Sequence, residues 1–139
     1  AKYLFEKSER VLTRLEPGSS VTFPTVSSYY CKYLLDTGSP ERALERSLLT
    51  MLLLIKKSWQ VAIDTTSFLA SDLQILGLAF LRVGDTVNAR IYLERQMELL
   101  KEADEWLYLP SGLNARAEYY KAVKDNSAAL ADLQEALEI

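Results

Sequence analysis

The chain has 139 residues, of which 49% are hydrophobic and 25% are charged, a composition that excludes a disordered or fibrous protein and allows one domain with a sizeable core. Its net charge of −3 comes with no Lys/Arg-rich block, so the sequence does not indicate a nucleic-acid-binding surface. It has no histidine and one cysteine, Cys31, which excludes Ser-His-Asp and Cys-His catalysis and every zinc site built on His or paired Cys.

The spacing of apolar residues predicts seven helices, and no segment shows the sustained alternation of a β-strand. Pro24 and Pro40 suit the first turn of a helix, and Ser39 suits the N-cap. Residues 58–64 are either a loop or the first turns of the fourth helix. In chain order the predicted helices are 2–16, 24 to Gly38, 39 to about 56, a fourth that ends near Val83, 86–105, 111–123, and a last one that begins in the turn 124–127 and runs to the end.

The stretch from Leu73 to Leu93 follows a pattern of its own. It reads Leu-x2-Leu-Gly-x2-Phe, then Gly-Asp, then Ala-x3-Leu. This pattern resembles one tetratricopeptide (TPR) repeat, whose signature is Trp-x2-Leu-Gly-x2-Tyr followed by Ala-x3-Phe. In that reading, Gly77 is the small residue at which the two helices of a hairpin cross closely.

Two further copies of the pattern lie before and after it, with turns at Gly38 and Lys124, 46 and 40 residues from the central turn at Gly84. The matching positions, given as preceding, central and following copy, are Cys31, Gly77 and Ala117 for a small residue; Leu34, Phe80 and Tyr120 for a bulky one; Ala43, Ala89 and Ala129 for a second small residue; and Ser47, Leu93 and Leu133 for an apolar one. Because three copies align in the same register, the resemblance to TPR repeats extends over the whole chain.

The resemblance implies an all-α fold, an α-solenoid of antiparallel helix hairpins with about seven helices in a right-handed superhelical stack. Residues 1–139 form one module with repeats at 24–57, 66–105 and 110–139, and residues 1–16 are the second helix of a truncated repeat. The absent initiator Met predicts a segment of a larger chain. Repeats of this length, with Trp59 and Trp106 after a second helix, are similar to those of large bacterial signalling proteins that couple a nucleotide-switch domain to a helical sensor array.

In TPR-type repeats the groove residues lie on the first helix of each pair, facing away from its partner. Carried onto this chain, the resemblance implies a concave binding groove formed by Ser28, Lys32, Asp36, Gln74, Leu78, Arg82, Asn114, Glu118 and Lys121. The set is polar and of mixed sign, so acidic residues weaken the field that its lysines and arginine offer to an acidic peptide. It does not match the Lys and Asn pattern of TPR clamps for chaperone tails.

The leading functional hypothesis is a protein–protein interaction scaffold that binds a peptide or protein, or packs on neighbouring domains of its parent protein. The alternative is a helical array that senses a small-molecule effector within a bacterial signalling or transcription regulator. An enzyme is not expected, and no cofactor, metal, nucleic acid or membrane partner is implied, because there is no Gly-rich phosphate loop and no nucleophile–base pair. With no secretory leader visible, a cytoplasmic protein is expected.

The sequence also predicts which of several apolar side chains are buried and which are exposed. Cys31 occupies the slot of Gly77 and Ala117, so we expect a buried packing residue and not a reactive thiol. The run Leu48–Ile55 is apolar on nearly all sides, too short to span a bilayer, and is either covered by neighbouring segments or a face for self-association. Among the tyrosines we expect Tyr30, Tyr33 and Tyr120 in the core, with Tyr29 and Tyr119 exposed.

Overall fold

A computed structural model describes residues 2–15, 24–57 and 66–139, and within these ranges every regular element is an α-helix. The prediction of an all-helical chain is therefore confirmed. Residues 58–64, predicted as either a loop or the start of the fourth helix, lie outside the described residues. The same applies to Trp59, which was part of the resemblance to bacterial signalling proteins. The helices are α1 (Lys2–Leu15), α2 (Pro24–Asp36), α3 (Pro40–Lys57), α4 (Thr66–Arg82), α5 (Thr86–Glu102), α6 (Leu109–Ala122) and α7 (Asn126–Glu138).

The largest boundary difference is at the end of α5, which was predicted to reach residue 105 and instead ends at Glu102. Asp104 adopts a left-handed conformation with φ of 55°, and Glu105 N–H donates to the Leu100 carbonyl at 2.9 Å. This is the hydrogen bond that closes a Schellman helix end. The spacing of apolar residues predicts a longer helix because it contains no information on the left-handed backbone of Asp104.

The same type of tight turn joins the two helices of each pair, α2 to α3, α4 to α5 and α6 to α7. Each contains one left-handed residue, Gly38 (φ 76°), Gly84 (φ 88°) or Lys124 (φ 63°). The following N–H donates to the carbonyl five residues earlier, from Ser39 to Leu34 (2.8 Å), Asp85 to Phe80 (2.9 Å) and Asp125 to Tyr120 (2.8 Å). The aspartates of the last two turns also cap the next helix, because each side chain accepts a backbone N–H at 3.0 Å.

Lys124 is the one non-glycine among the three left-handed turn residues, and its left-handed backbone costs about 1 kcal/mol relative to glycine. We expect Lys124→Gly to increase the free energy of unfolding by about 1 kcal/mol, measured by urea denaturation. Lys121→Gly is the control, because glycine inside α6 destabilises the helix by about 1 kcal/mol. Destabilisation by Lys124→Gly would contradict the conformational argument.

The helices pack in consecutive pairs. Contacts join α2 to α3, α4 to α5 and α6 to α7, and also join each pair to the next through α3–α4 and α5–α6. The first helices of the pairs also touch, α2 with α4 and α4 with α6. At the N-terminal end, α1 packs on α2, where the rings of Phe5 and Tyr30 stack with centroids 5.0 Å apart.

Small residues permit the close approach within each pair. Cys31, Gly77 and Ala117 are all buried, as are Ala43, Ala89 and Ala129. At Gly77 the helices approach closely, because a Cβ added there would lie 2.7 Å from Cγ of Leu93. The prediction that Cys31 is a buried residue is confirmed, and its thiol has its pKa raised, mainly by burial.

One tyrosine prediction is wrong. Tyr119 was expected at the surface, yet only 9% of it is exposed, and it packs in a core cluster with Ala89, Leu93 and Ala115. The reason is that α6 contacts α4, α5 and α7, so more of its circumference is buried than a single apolar stripe indicates. The predictions of a buried Tyr30 and an exposed Tyr29 are confirmed.

The apolar run of α3 is partly uncovered. Leu48, Leu49 and Leu52 are exposed, whereas Thr50 is buried and shares a hydrogen bond of 2.6 Å with Ser27 of α2. The side chains at 53–55 lie outside the described residues. Self-association through Leu48–Ile55 stays a prediction that light scattering at several concentrations tests.

Candidate binding surface

The nine residues of the expected groove lie on the three first helices, which contact one another in succession. We call this set the first-helix face. It comprises Ser28, Lys32 and Asp36 on α2, Gln74, Leu78 and Arg82 on α4, and Asn114, Glu118 and Lys121 on α6. The structure shows that several of these side chains bind residues of the neighbouring first helix.

The link between α4 and α6 at one end is an ion pair of the first-helix face itself. Arg82 Nη2 lies 2.9 Å from Oε2 of Glu118, and both side chains remain about half exposed. Exposed pairs of this kind stabilise a fold by at most about 1 kcal/mol, so a competing charged ligand can separate them at low cost.

A second link between α4 and α6 involves Gln74. Its Nε2 donates to Oγ of Ser111 at 3.1 Å, and its Oε1 accepts a hydrogen bond of 2.8 Å from Nε2 of Gln96. Gln96 is buried on α5. Gln74 therefore satisfies the buried amide nitrogen of Gln96, whose Oε1 has no hydrogen-bond partner among the described residues, and only part of the hydrogen-bonding capacity of Gln74 is available to a ligand.

The link between α2 and α4 is a hydrogen bond that Ser28 Oγ donates to Oδ1 of Asp72. Asp72 is only 6% exposed, and its Oδ2 is buried without a hydrogen-bond partner in the described part of the chain. Burial raises the pKa of Asp72 to about 6, and the bond from Ser28 partly offsets that effect.

Sequence reasoning missed Asp72, although one signal was present. An acidic residue stands directly before Leu73, in a helix whose following residues are almost all buried. The helical spacing of apolar residues in α4 does not show that the neighbouring Asp72 is buried as well. Its burial depends on the packing of α2 and α3 against α4.

The buried carboxyl predicts a specific pH dependence. Its folded pKa of about 6 lies above the ordinary value of 3.8, so the folded state holds the proton more tightly and stability falls as pH rises from 4 to 6. The loss amounts to about 3 kcal/mol at pH 7. Asp72→Asn keeps an acceptor for Ser28 and is expected to be more stable than the parent at pH 7.

The measurement is urea denaturation of both proteins between pH 4 and 7. The stability difference in favour of Asp72→Asn should be smallest at pH 4 and should increase up to about pH 7. The same substitution at Asp36, which is exposed on α2, controls for the chemistry of the replacement. A difference that does not change with pH would contradict the assigned burial of the charge.

Four of the remaining members of the first-helix face are exposed, whereas Leu78 packs against the core cluster of Ala89, Leu93, Ala115 and Tyr119. Lys32 and Asp36 form an ion pair of 3.2 Å along α2 and are both mostly exposed. Asn114 and Lys121 are exposed on α6, and Leu78 is partly buried on α4. The face thus presents polar groups of both signs, able to bind a ligand through hydrogen bonds and exchange of ion pairs.

A second concave feature lies between α1, α2 and α3, a cavity of about 320 Å³. It is open to solvent on one side, and Arg46 packs over the ring of Tyr30 with 4.7 Å between the guanidinium carbon and the ring centroid. Sequence reasoning did not anticipate it. The residues that line it are Glu6, Tyr30, Leu34, Arg42, Glu45, Arg46 and Leu49.

No family model, curated protein or solved structure matches the chain. Among the described helices, none has the length and apolar character needed to cross a membrane. Within the same residues, Cys, Asp and Glu side chains do not gather in groups of three or more that could hold a metal ion.

Proposed function

We propose that the chain is a right-handed α-solenoid of TPR-like hairpins and that it acts as a scaffold, binding a peptide or protein segment along the first-helix face. The observation that supports the proposal is the repeated geometry. The three helix pairs have turns of the same conformation. Their first helices lie side by side with polar links between them. Stacked hairpins of this kind form extended surfaces suited to elongated partners.

The partner that suits the face is a segment of mixed charge. Two opposite-charge pairs, Lys32–Asp36 and Arg82–Glu118, are exposed along it. Lys121 and Asn114 add an exposed cation and an exposed amide at the α6 end. A segment with alternating acidic and basic groups can exchange partners with both ion pairs while its backbone binds the amide, whereas a purely acidic segment meets Asp36 and Glu118.

The test is selection of binders from a random peptide library displayed on phage, against three forms of the protein. The first is the parent chain, and the second is Lys32→Glu/Lys121→Glu, which reverses two exposed charges of the first-helix face. The matched control is Arg95→Glu/Lys101→Glu, which changes net charge equally on the exposed side of α5. Thermal melting checks that all three are folded.

We expect enriched peptides to bind the parent and the control with similar affinity and to lose at least about tenfold in affinity for the face variant. Selection of no peptide, or of peptides that bind the face variant as well as the parent, would reject binding at this face.

The alternative function is sensing of a small-molecule effector that shifts an assembly equilibrium. The cavity between α1, α2 and α3 favours it, because its volume is at the lower end of ligand pockets. Its lining combines the ring of Tyr30 with arginine and glutamate side chains, a set that suits a polar ligand with an aromatic or sugar ring. A thermal-shift panel of sugars, nucleotides and lipids tests this function, and stabilisation lost in Arg42→Ala places the ligand in the cavity.

A further inference from the structure

The connection between α5 and α6 exposes three large apolar side chains in succession. Trp106 is 65% exposed, Leu107 is 66% exposed and Tyr108 is 45% exposed. Apolar side chains that occur singly on a surface are ordinary, whereas three consecutive ones place a large apolar area in water. Tryptophan and tyrosine are also among the side chains that are enriched at protein–protein interfaces. We call residues 104–108 the aromatic knob.

Hydrogen bonds fix the backbone of the aromatic knob to both helices. Glu105 N–H donates to the Leu100 carbonyl of α5 at 2.9 Å, and Tyr108 N–H donates to the Glu105 carbonyl at 3.1 Å. Gly112 N–H of α6 in turn donates to the Tyr108 carbonyl at 3.2 Å. Successive residues of a tight turn point in different directions, so three exposed side chains in a row mean that the turn projects from the fold. A projecting turn with a fixed backbone fits a cleft and loses little conformational freedom on entering it.

Three carboxylates lie next to the exposed aromatic side chains. Glu102 and Asp104 are exposed, and Glu105 is partly exposed. Within the described residues none of the three has an ion-pair partner, and the nearby Lys101 pairs with Glu135 at 3.9 Å. The charges beside the aromatic knob are therefore mostly negative and available to a partner, so they favour a surface that carries positive charge.

We propose that the aromatic knob docks into an apolar cleft of a partner protein whose rim carries lysine or arginine side chains. Trp106, Leu107 and Tyr108 fill the cleft, and the carboxylates beside them pair with the rim, the usual arrangement of an apolar centre within a polar border. A lipid surface is a poor occupant, because anionic headgroups repel the carboxylates. The knob lies between two described helices and shares no residue with the first-helix face or the cavity, so the proposal is independent of both.

The first experiment tests the recognition chemistry of the knob on the full chain. The chain has two tryptophans, each with one indole N–H resonance in a heteronuclear NMR spectrum, and Trp106→Phe identifies the resonance of Trp106. The probes are three β-cyclodextrins, small hosts with an apolar cavity, whose rims carry amino groups, unmodified hydroxyl groups or carboxymethyl groups. They differ in rim charge and share the cavity, so a difference in affinity reports the charge that the knob prefers.

We expect the Trp106 resonance to titrate with the amino host at least about fivefold more tightly than with the neutral host, and most weakly with the carboxymethyl host. Glu102→Gln/Glu105→Gln should remove this preference, as should high salt. The matched control Glu41→Gln/Glu94→Gln neutralises two carboxylates elsewhere on α3 and α5 and should keep it. Absence of titration at Trp106, or equal affinity for the hosts of opposite charge, overturns the proposal.

The second experiment identifies the occupant. The photocrosslinker p-benzoylphenylalanine replaces Leu107 in the cells that produce the protein, and mass spectrometry identifies the crosslinked molecule. We expect a protein that, once purified, binds the chain less tightly in high salt and loses at least about tenfold in affinity with Trp106→Ser. Tyr29→Ser is the matched control, since Tyr29 is also 65% exposed, and it should change the affinity less than about twofold. No crosslinked protein, a partner that Trp106→Ser does not weaken, or a shift of the Trp106 resonance by phosphatidylcholine vesicles would each reject docking of the knob to a protein.

Discussion

Asp132→Ala is expected to decrease the free energy of unfolding by about 3 kcal/mol, because it leaves the Arg116 guanidinium without its partner in a mostly buried position. Two hydrogen bonds join the pair across α6 and α7, Nε to Oδ2 at 2.8 Å and Nη2 to Oδ1 at 2.7 Å. The side chains are only 19% and 7% exposed. The bonds to Asp132 raise the pKa of the Arg116 guanidinium. Arg116 keeps its charge even when Asp132 is removed, because the ordinary pKa of an arginine lies far above neutral pH.

The effect is measured by urea denaturation at low and high salt. Glu118→Ala is the matched control: it breaks an exposed Arg–Glu pair and should cost at most about 1 kcal/mol. The loss in Asp132→Ala should persist in high salt because the buried pair is poorly screened. Arg116→Met/Asp132→Leu should recover most of the stability, since it removes both charges together. If Asp132→Ala costs no more than Glu118→Ala, the pair is not significantly desolvated.

Leu93→Ala is expected to destabilise the protein by about 2–5 kcal/mol, because Leu93 is completely buried and packs on Gly77 of α4 as well as on the α6 side chains of its cluster. Gly77→Ala is expected to cost about 1–3 kcal/mol in the parent, since its methyl group would lie 2.7 Å from Cγ of Leu93.

The two changes are expected to be strongly non-additive. Once Leu93 is shortened to alanine, the added methyl at Gly77 no longer meets Cγ or Cδ2, and the higher helix propensity of alanine, about 1 kcal/mol, becomes available. We therefore expect Gly77→Ala to be neutral or stabilising in the Leu93→Ala background, with a coupling of about 1–3 kcal/mol in a double-mutant cycle. Additive effects would show that the two residues do not set the crossing distance.

Leu133→Ala is the control for this series. Leu133 holds the equivalent position on α7, but 38% of it is exposed, so less apolar surface and no closed cavity are involved. Its truncation should cost about 1 kcal/mol, well below that of Leu93→Ala. A comparable cost at both positions would contradict the argument that the loss depends on burial of the leucine.

The helices and their turns were predictable from the sequence because their causes are local. Pro24 and Pro40 fix a backbone angle and lack an N–H, which suits the first turn of a helix, and glycine at 38 and 84 permits the left-handed residue of the turn. The small residues at 31, 77 and 117 followed from the repeat register, which compares each position with two others in the same chain.

The candidate surface was only partly predictable. The positions on the first helices were identified from the register, but their partners were not. Ser28 bonds to Asp72, and Gln74 to Ser111 and Gln96, which are 37 and 22 residues away. Whether a polar side chain faces a ligand or a neighbouring helix depends on how closely the first helices approach, and the spacing within one helix contains no information on that distance.

The sequence by itself determined the all-helical chain, the turns and the small residues at the crossings, because backbone conformation and side-chain volume act within or between adjacent elements. Only the tertiary structure decided which polar groups are buried. It placed Asp72 and Tyr119 inside and left Leu137 uncovered. Burial depends on every helix that surrounds a residue, and in this chain those neighbours come from segments far apart in the sequence.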